Sequence, residues 1–254
     1  GRWHLELPST SAGGPFEIAA HASSGVTQTI SDVLVGDVWL CSGQSNMEWP
    51  IRIAQSANAE ISRAPNDEIR LLTIAKDTSP TPLEDFKQPV RWERTTSESA
   101  ADFSAVCFFF ARELYKHVKV PMGLVHSSWG GSKIEPWMSA SALQAVGGYE
   151  DMLEILALSQ KDPRAAIKLW GQRWEAWWRS RAQERPWSDA KQGEWARAPA
   201  ELSHWEEWGV PALAQFNGMV WFRADVDLSA KQAQQSATLA LGRVDDVDIT
   251  WVNG

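Results

Sequence analysis

Apolar and polar positions along the chain change rhythm twice. Phe16-Glu17-Ile18-Ala19-Ala20 and Val26-Thr27-Gln28-Thr29-Ile30 are short runs of strand formers. Gly13-Gly14-Pro15 and Ser23-Ser24-Gly25 supply turn residues beside them. Residues 1–31 therefore predict short antiparallel strands, too few to bury their own faces: the tail of a β-domain, or strands that lean on the segment after them. From Asp32 onward, apolar runs of strand length alternate with helical periodicity. Strands are predicted over 33–41, 68–75 and 122–126, and helices over 51–63, 103–117 and most of 139–158. A proline-containing loop is predicted over 76–101. Strand–helix alternation predicts an α/β fold, a parallel sheet with helices on both faces, and ligands in such sheets bind beyond the carboxyl ends of the strands.

Residues 159–210 form a stretch rich in Trp, Arg and Glu. After it the pattern returns to β, over 218–226, 236–241 and 247–252. This looks like the opening of an antiparallel sandwich. It stops at Asn253-Gly254, a hairpin-turn dipeptide. The expected layout is a β-tail over 1–31, an α/β domain over 32–158, a Trp-rich insertion over 159–210 and the start of a β-sandwich over 211–254. The expectation is a fragment, cut or truncated within a domain, with any signal peptide absent or already removed.

Composition narrows the function classes. The 254 residues carry a net charge of -8 without a basic run, which argues against nucleic acid and against anionic membrane surfaces. No apolar run is long enough to cross a bilayer. Cys41 and Cys107 both sit in apolar runs and read as small buried hydrophobes, a disulfide between them being the less favoured alternative. Tryptophan is abundant, 16 residues against 2 Tyr. Trp170, Trp174, Trp177 and Trp178 have helical spacing and predict core packing. Trp187, Trp195, Trp205 and Trp208 are less periodic and more available to stack on a sugar ring. No Cys/His cluster has zinc spacing, no acidic loop has calcium spacing and no glycine loop is built for phosphate, so neither metal nor cofactor is expected.

The chemistry centres on Gly43-Gln44-Ser45-Asn46-Met47, directly after an apolar strand. A strand ending in a tight turn with one serine lifts a hydroxyl clear of the sheet, with backbone N–H groups facing the carbonyl it attacks. A second turn, Gly130-Gly131, comes after the strand at 122–126, and the two turns are expected to share one crevice.

The stretch from Val35 through Asp37, Ser42, Gly43, Ser45 and Glu48 to Trp49 resembles the first block of the sialate O-acetylesterase-like carbohydrate esterases, within the SGNH hydrolase superfamily. The stretch from Pro121 through His126, Trp129, Gly130, Gly131, Glu135 and Trp137 to Ser139 resembles the second. Residues 103–114 resemble the intervening helix. Residues 216–223 and 242–248 resemble the jelly-roll-like sandwich that the family inserts. The resemblance implies an SGNH, flavodoxin-like sheet and hydrolysis of O-acetyl esters on a sugar, by water alone. Carried over by position, Ser45 is the nucleophile. Its own N–H and the N–H groups of Gly131 and Gly130 are oxyanion donors, Gly131 preferred. Gln44, Asn46, Trp129 and Trp137 are weaker candidates for substrate contact.

The family's Asp-x-x-His pair comes after its inserted sandwich, and nothing matching it occurs in these residues. Of the five histidines only His126 lies near the crevice, where a structural role is favoured over that of base. The expected partners are an acetylated carbohydrate and the C-terminal fragment of the same protein, which would supply the missing pair. Xyloglucan, another acetylated hemicellulose or O-acetyl sialic acid are the candidate substrates, with the polysaccharides favoured. The resemblance and a polymeric substrate imply a periplasmic or secreted location. A non-catalytic carbohydrate-binding module is the rival reading, and a lipid or thioester hydrolase on the same fold a weaker one.

Overall fold

A computed structural model describes residues 4–182, 184–188, 195–200, 202–242, 244 and 247–253. The chain divides into two compact units, Gly1–Leu153 and Glu154–Gly254. In chain order the elements are β1 (Gly13–His21), β2 (Thr27–Val35), β3 (Asp37–Gly43), α1 (Ser45–Glu48), α2 (Ala57–Ser62), β4 (Asn66–Thr73), β5 (Glu93–Thr95), α3 (Ser97–Ala101), α4 (Ala105–Val118), β6 (Met122–Ser128), α5 (Ala140–Val146), α6 (Glu150–Lys161) and α7 (Pro163–Arg179).

In the first unit, β1 and β2 form the expected hairpin, closed at Ser23-Ser24-Gly25 by hydrogen bonds between Ala22, Gly25 and Val26. Gly13-Gly14-Pro15 begins β1 instead of turning before it. At Asp32 the backbone of β2 takes a left-handed φ of 63°. The Asp32 carboxylate receives both outer nitrogens of Arg70, at 2.8 and 2.9 Å, and the Nε of Arg94 at 3.0 Å, which ties the hairpin to β4 and β5.

The main sheet has the order β3-β6-β4-β5. β6 pairs in parallel with both β3 and β4, whereas β5 runs antiparallel to β4. The sheet is thus mixed, not wholly parallel. Its middle strand is β6, the third of the three parallel strands in the chain; the flavodoxin-like order would centre the first. The burial pattern accounts for this. Met122, Leu124, His126 and Ser128 alternate with half-buried neighbours, the signature of a strand paired on both edges and covered on one face. Three-residue β5 is too short to leave a periodicity, and falls within the stretch expected as a loop over 76–101.

The core lies between the sheet and α4. Ser104 caps this helix by accepting from the N–H of Cys107, and Lys119 ends it at a left-handed φ of 53°. Cys107, Phe108 and Ala111 then fall on one stripe and meet Ile69, Leu71, Met122 and Leu124. On β3, Trp39 packs edge-on to Phe110, and Cys41 is disulfide-bonded to Cys107. The cysteines are buried as expected, but also bonded: the strand period aims Cys41 at the helix, and the helical stripe aims Cys107 back. On the opposite face of β3, Val38 and Leu40 are 66 % and 70 % exposed. Among the described residues helices therefore cover one face of this strand, not both.

The helix expected over 51–63 is broken. Ile51–Ile53 is a single 3-10 turn, and Ser56, at a left-handed φ of 59°, separates it from α2. The helix over 139–158 likewise splits into α5 and α6 around Gly147 and Gly148, both at positive φ.

In the second unit, Asp162 caps α7 by accepting from the N–H groups of Arg164 and Ala165, with Pro163 in the first turn. The ring of Trp174 lies within 6.0 Å of those of Trp177, Trp178, Trp187, Trp221 and Trp251. Trp187, expected to be available to ligand, is instead stacked on Trp251 at 5.4 Å. Offset and edge-on contacts between such large rings are a stable way to bury them without a sheet. Trp205 and Trp208 donate their ring N–H groups to backbone carbonyls of Phe216 and Ser203. Among the described residues of 211–253 no strand forms; the segments expected as strands pair with no neighbour, and Trp221 and Trp251 join the tryptophan cluster. Arg243, Asp245, Asp246 and Gly254, part of the expected sandwich motif and terminal turn, lie outside the described residues.

Candidate active site

Strand register brings the two turns together. The last pair of the β3–β6 ladder is Gly43 opposite Ser128, and the N–H of Trp129 donates to the Gly43 carbonyl at 3.0 Å. Ser45 lies two residues beyond one strand end and Gly130 two beyond the other, so they meet. A Cβ built on Gly130 would stand 3.4 Å from both Cα and Cβ of Ser45 and 2.9 Å from Oε2 of Glu48. A Cβ at 130 would touch Ser45 at ordinary contact distance and displace the Glu48 carboxylate, so glycine there keeps that carboxylate against the turn. Gly131 needs glycine on other grounds: its φ is +79°.

Ser45 is the first residue of α1. It is exposed, and among the described residues its hydroxyl makes no hydrogen bond and its N–H donates to no acceptor. The Gly131 N–H is likewise without an acceptor among the described residues. Gly130 differs, because its N–H donates to Oε2 of Glu48, the last residue of α1. The other carboxylate oxygen of Glu48 accepts from Nζ of Lys76, in the loop after β4, and this ammonium also lies 5.5 Å from the centre of the Trp129 ring. The bond to Lys76, then that to Gly130, holds the Glu48 carboxyl below the usual glutamate range.

Behind the turns the backbone is stitched to the core. Residues following α1 bridge to the start of α4, with Ala105 N–H donating to Trp49 and Ile51 N–H to Phe103. The glycine turn is closed by Ser132, whose N–H and hydroxyl both donate to the Trp129 carbonyl. Trp137 in turn donates its ring N–H to the Ser132 hydroxyl at 2.9 Å and keeps 41 % of its surface exposed. Of the residues singled out from sequence, Ser45, Gly130, Gly131, Trp129 and Trp137 form one connected group. Gln44 and Asn46 flank Ser45 and are exposed; the Gln44 carbonyl accepts from Met47 and Glu48. Lys76 escapes sequence reasoning because a single lysine in a long polar loop carries no pattern; only its place just past the end of a strand hints at it.

His126 lies on the covered face of β6, with its ring 5.4 Å from that of Phe103. Its Nε2 bonds with the Ser128 hydroxyl at 2.6 Å, and its buried Nδ1 has no partner among the described residues. Burial lowers its pKa below the ordinary histidine value; the Glu48 carboxylate offsets this in part and Lys76 adds to it. Above about pH 6.5 both folded and unfolded chains hold this ring neutral, so it costs nothing. Below that pH the unfolded chain takes a proton that the folded site resists, and stability falls. Melting measured from pH 7.5 to 5 should show this loss, with a shallower slope in His126→Asn. Equal slopes would remove His126 as the cause. The carboxylates with lowered pKa, Glu48 and Asp32 among them, act below this window.

A family model described as carbohydrate esterase, sialic acid-specific acetylesterase, matches residues 35–176, a span that holds both turns, Glu48 and Lys76. Sialate O-acetylesterases of Homo sapiens and Mus musculus are 39% and 38% identical over 155 residues, covering 57% of this chain and 30% and 29% of those proteins. The crystal structure of a carbohydrate acetylesterase from Xanthomonas citri is similar at a TM-score of 0.52 and 40% identity, over 54% of this chain and 31% of that one. The chain thus spans about 30% of the length of the curated relatives it matches. With more than half of its residues inside the family match, and the serine and glycine turns joined as two adjacent strand ends dictate, this chain belongs to the sialic acid-specific acetylesterase family of carbohydrate esterases.

Proposed function

We propose that this chain carries the nucleophile and oxyanion portion of a serine-dependent carbohydrate O-acetylesterase. The observation that carries the reading is the exposed Ser45 hydroxyl, without a hydrogen bond among the described residues, against the Gly130-Gly131 turn. Ser45 Oγ attacks the acetyl carbonyl carbon. The new C–O bond forms as the carbonyl π electrons move onto its oxygen and the serine proton passes to a base; collapse of this tetrahedral intermediate breaks the bond to the sugar oxygen, which takes that proton. Water then cleaves the acetyl-serine and releases acetate. The N–H groups of Ser45 and Gly131 are the oxyanion donors, since Gly130 has given its own to Glu48. The base is an Asp-x-x-His pair from a segment outside residues 1–254. The uncovered face of β3, with Val38 and Leu40 exposed, is consistent with such a segment packing there.

The substrate is an acetylated polysaccharide or oligosaccharide such as xyloglucan. Support comes from the open surface around Ser45 and from Trp129 and Trp137 beside the turn, flat rings suited to pyranose faces. O-acetyl sialic acid is the second reading, favoured by the names of the mammalian relatives. The binding-module reading loses support, because Trp187 is stacked within the cluster around Trp174. A periplasmic or secreted location is supported by the Cys41–Cys107 disulfide, a bond that persists in oxidising compartments.

Two measurements test the proposal. Under denaturing conditions the purified protein should show an Asp-x-x-His sequence, on a longer chain or on a second species; a lone 28.3 kDa species with full activity overturns the divided site. Acetate release from acetylated hemicellulose should exceed that from acetyl-sialate, and the reverse ratio overturns the substrate reading.

A further inference from the structure

We infer that Glu48, held by Lys76, is a positioning residue for the reaction: it clamps the glycine turn against Ser45 and so sets where the Gly131 N–H points. The inference rests on the esterase reading of Ser45 and Gly131. Three segments meet at this one carboxylate. They are α1, which begins with Ser45, the loop after β4, which brings Lys76, and the turn after β6, which brings the Gly130 N–H. Both carboxylate oxygens are used, one on each partner. The carboxylate is held in its charged form by those same contacts, so the clamp is closed across the neutral range. Ser45 and Glu48 sit at opposite ends of a single helical turn, and Glu48 therefore reads the position of the turn relative to the nucleophile directly.

The fit is close on the other side as well. The Cβ position of Gly130 faces both the Glu48 oxygen and the Ser45 carbons, so a methyl group there would displace the carboxylate from its place beside the Gly130 N–H. The Gly130 N–H is thus engaged as an anchor, which leaves the next N–H, that of Gly131, without an acceptor among the described residues. Lys76 holds the second oxygen and lies over the Trp129 ring, bracing the turn from the strand side. An oxyanion donor works only at hydrogen-bond distance from where the charge develops, so a small shift of this turn acts on the transition state more than on the bound ground state.

The test uses the full-length, active protein. Glutamine at 48 can keep one acceptor but must turn its NH₂ toward either Lys76 or the Gly130 N–H, a donor facing a donor. Glu48→Gln should lower kcat about ten- to a hundredfold with KM little changed, short of the ~10²–10³ of deleting an oxyanion donor outright. Gly130→Ala should lower kcat through the same contact from the other side. Because both act on one contact, the double variant should be much less impaired than the product of the single losses. An unchanged kcat in Glu48→Gln overturns the inference, as do independent, multiplicative losses in the cycle; the cycle also decides the matter if Glu48→Gln lowers the melting temperature. Failure of the underlying reading looks different: the parent protein releases no acetate, or Ser45→Ala releases it as fast as the parent.

Discussion

In Ser45→Ala, acetate release by the complete protein is expected to fall roughly 10⁴–10⁶-fold in kcat, the range for loss of a serine nucleophile whose neighbours remain in place. The atoms removed set the size of the effect. Only the Oγ atom goes; the Ser45 Cβ stays beside Gly130, as do the backbone N–H groups on both turns. The binding surface is preserved, and so is any stabilisation of an attacking water, which sets the residual rate. The fold should be indifferent, because Ser45 is exposed and its hydroxyl has no hydrogen bond among the described residues. Exposed substitutions of this kind change stability by no more than about 0.5 kcal/mol. Affinity for the acetylated sugar, measured by calorimetry on the variant, should match that of the parent. A kcat within tenfold of the parent would remove Ser45 from the mechanism, whereas a parent that binds the sugar but releases no acetate would return the protein to the class of carbohydrate binders.

The part of this site that is legible in the sequence is the part built by local rules. A strand followed by Gly-x-Ser, and a second strand followed by Gly-Gly, each declare themselves within a dozen residues. Parallel pairing then implies that their ends adjoin. The helical stripe of α4 and the hairpin turn at Ser23-Ser24-Gly25 are local in the same sense. The features that escape a sequence reading depend on contacts distant in the chain. Lys76 reaches Glu48 across 28 residues and Gly130 reaches it across 82, and no periodicity marks such pairs. β5 exists only because β4 lies beside it. The β-pattern over 218–226 and 247–252 is present in sequence, but a strand needs a partner; among the described residues none pairs there, and Trp221 and Trp251 join an aromatic cluster. Trp187 departs from its expected role because an aromatic ring off the helical period can still be drawn into a cluster by rings from other segments.

Removing the Cys41–Cys107 bond is expected to cost about 2–4 kcal/mol of folding stability while leaving chemistry at low temperature intact. The bond closes a loop across a sequence separation of 66 residues. On the chain-entropy account, a loop of that length restricts the unfolded chain by about 4 kcal/mol, a figure native-state relaxation usually reduces. Both sulfurs are buried between β3 and α4, so a double variant, Cys41→Ala with Cys107→Ala, also leaves a small void against Phe108 and Leu124. The site itself should survive, because β3 is held by seven consecutive register pairs to β6 and the end of α1 is hydrogen-bonded to the start of α4. Those contacts, and not the sulfur bridge, bring Ser45 to Gly130. Urea unfolding of the double variant should therefore show a lower midpoint with a similar slope, and acetate release well below the melting range should keep its kcat. An unchanged midpoint would mean that the bond is not formed in the folded protein. A kcat that falls in step with stability would mean that the covalent link to α4, and not strand register, sets the position of the serine turn.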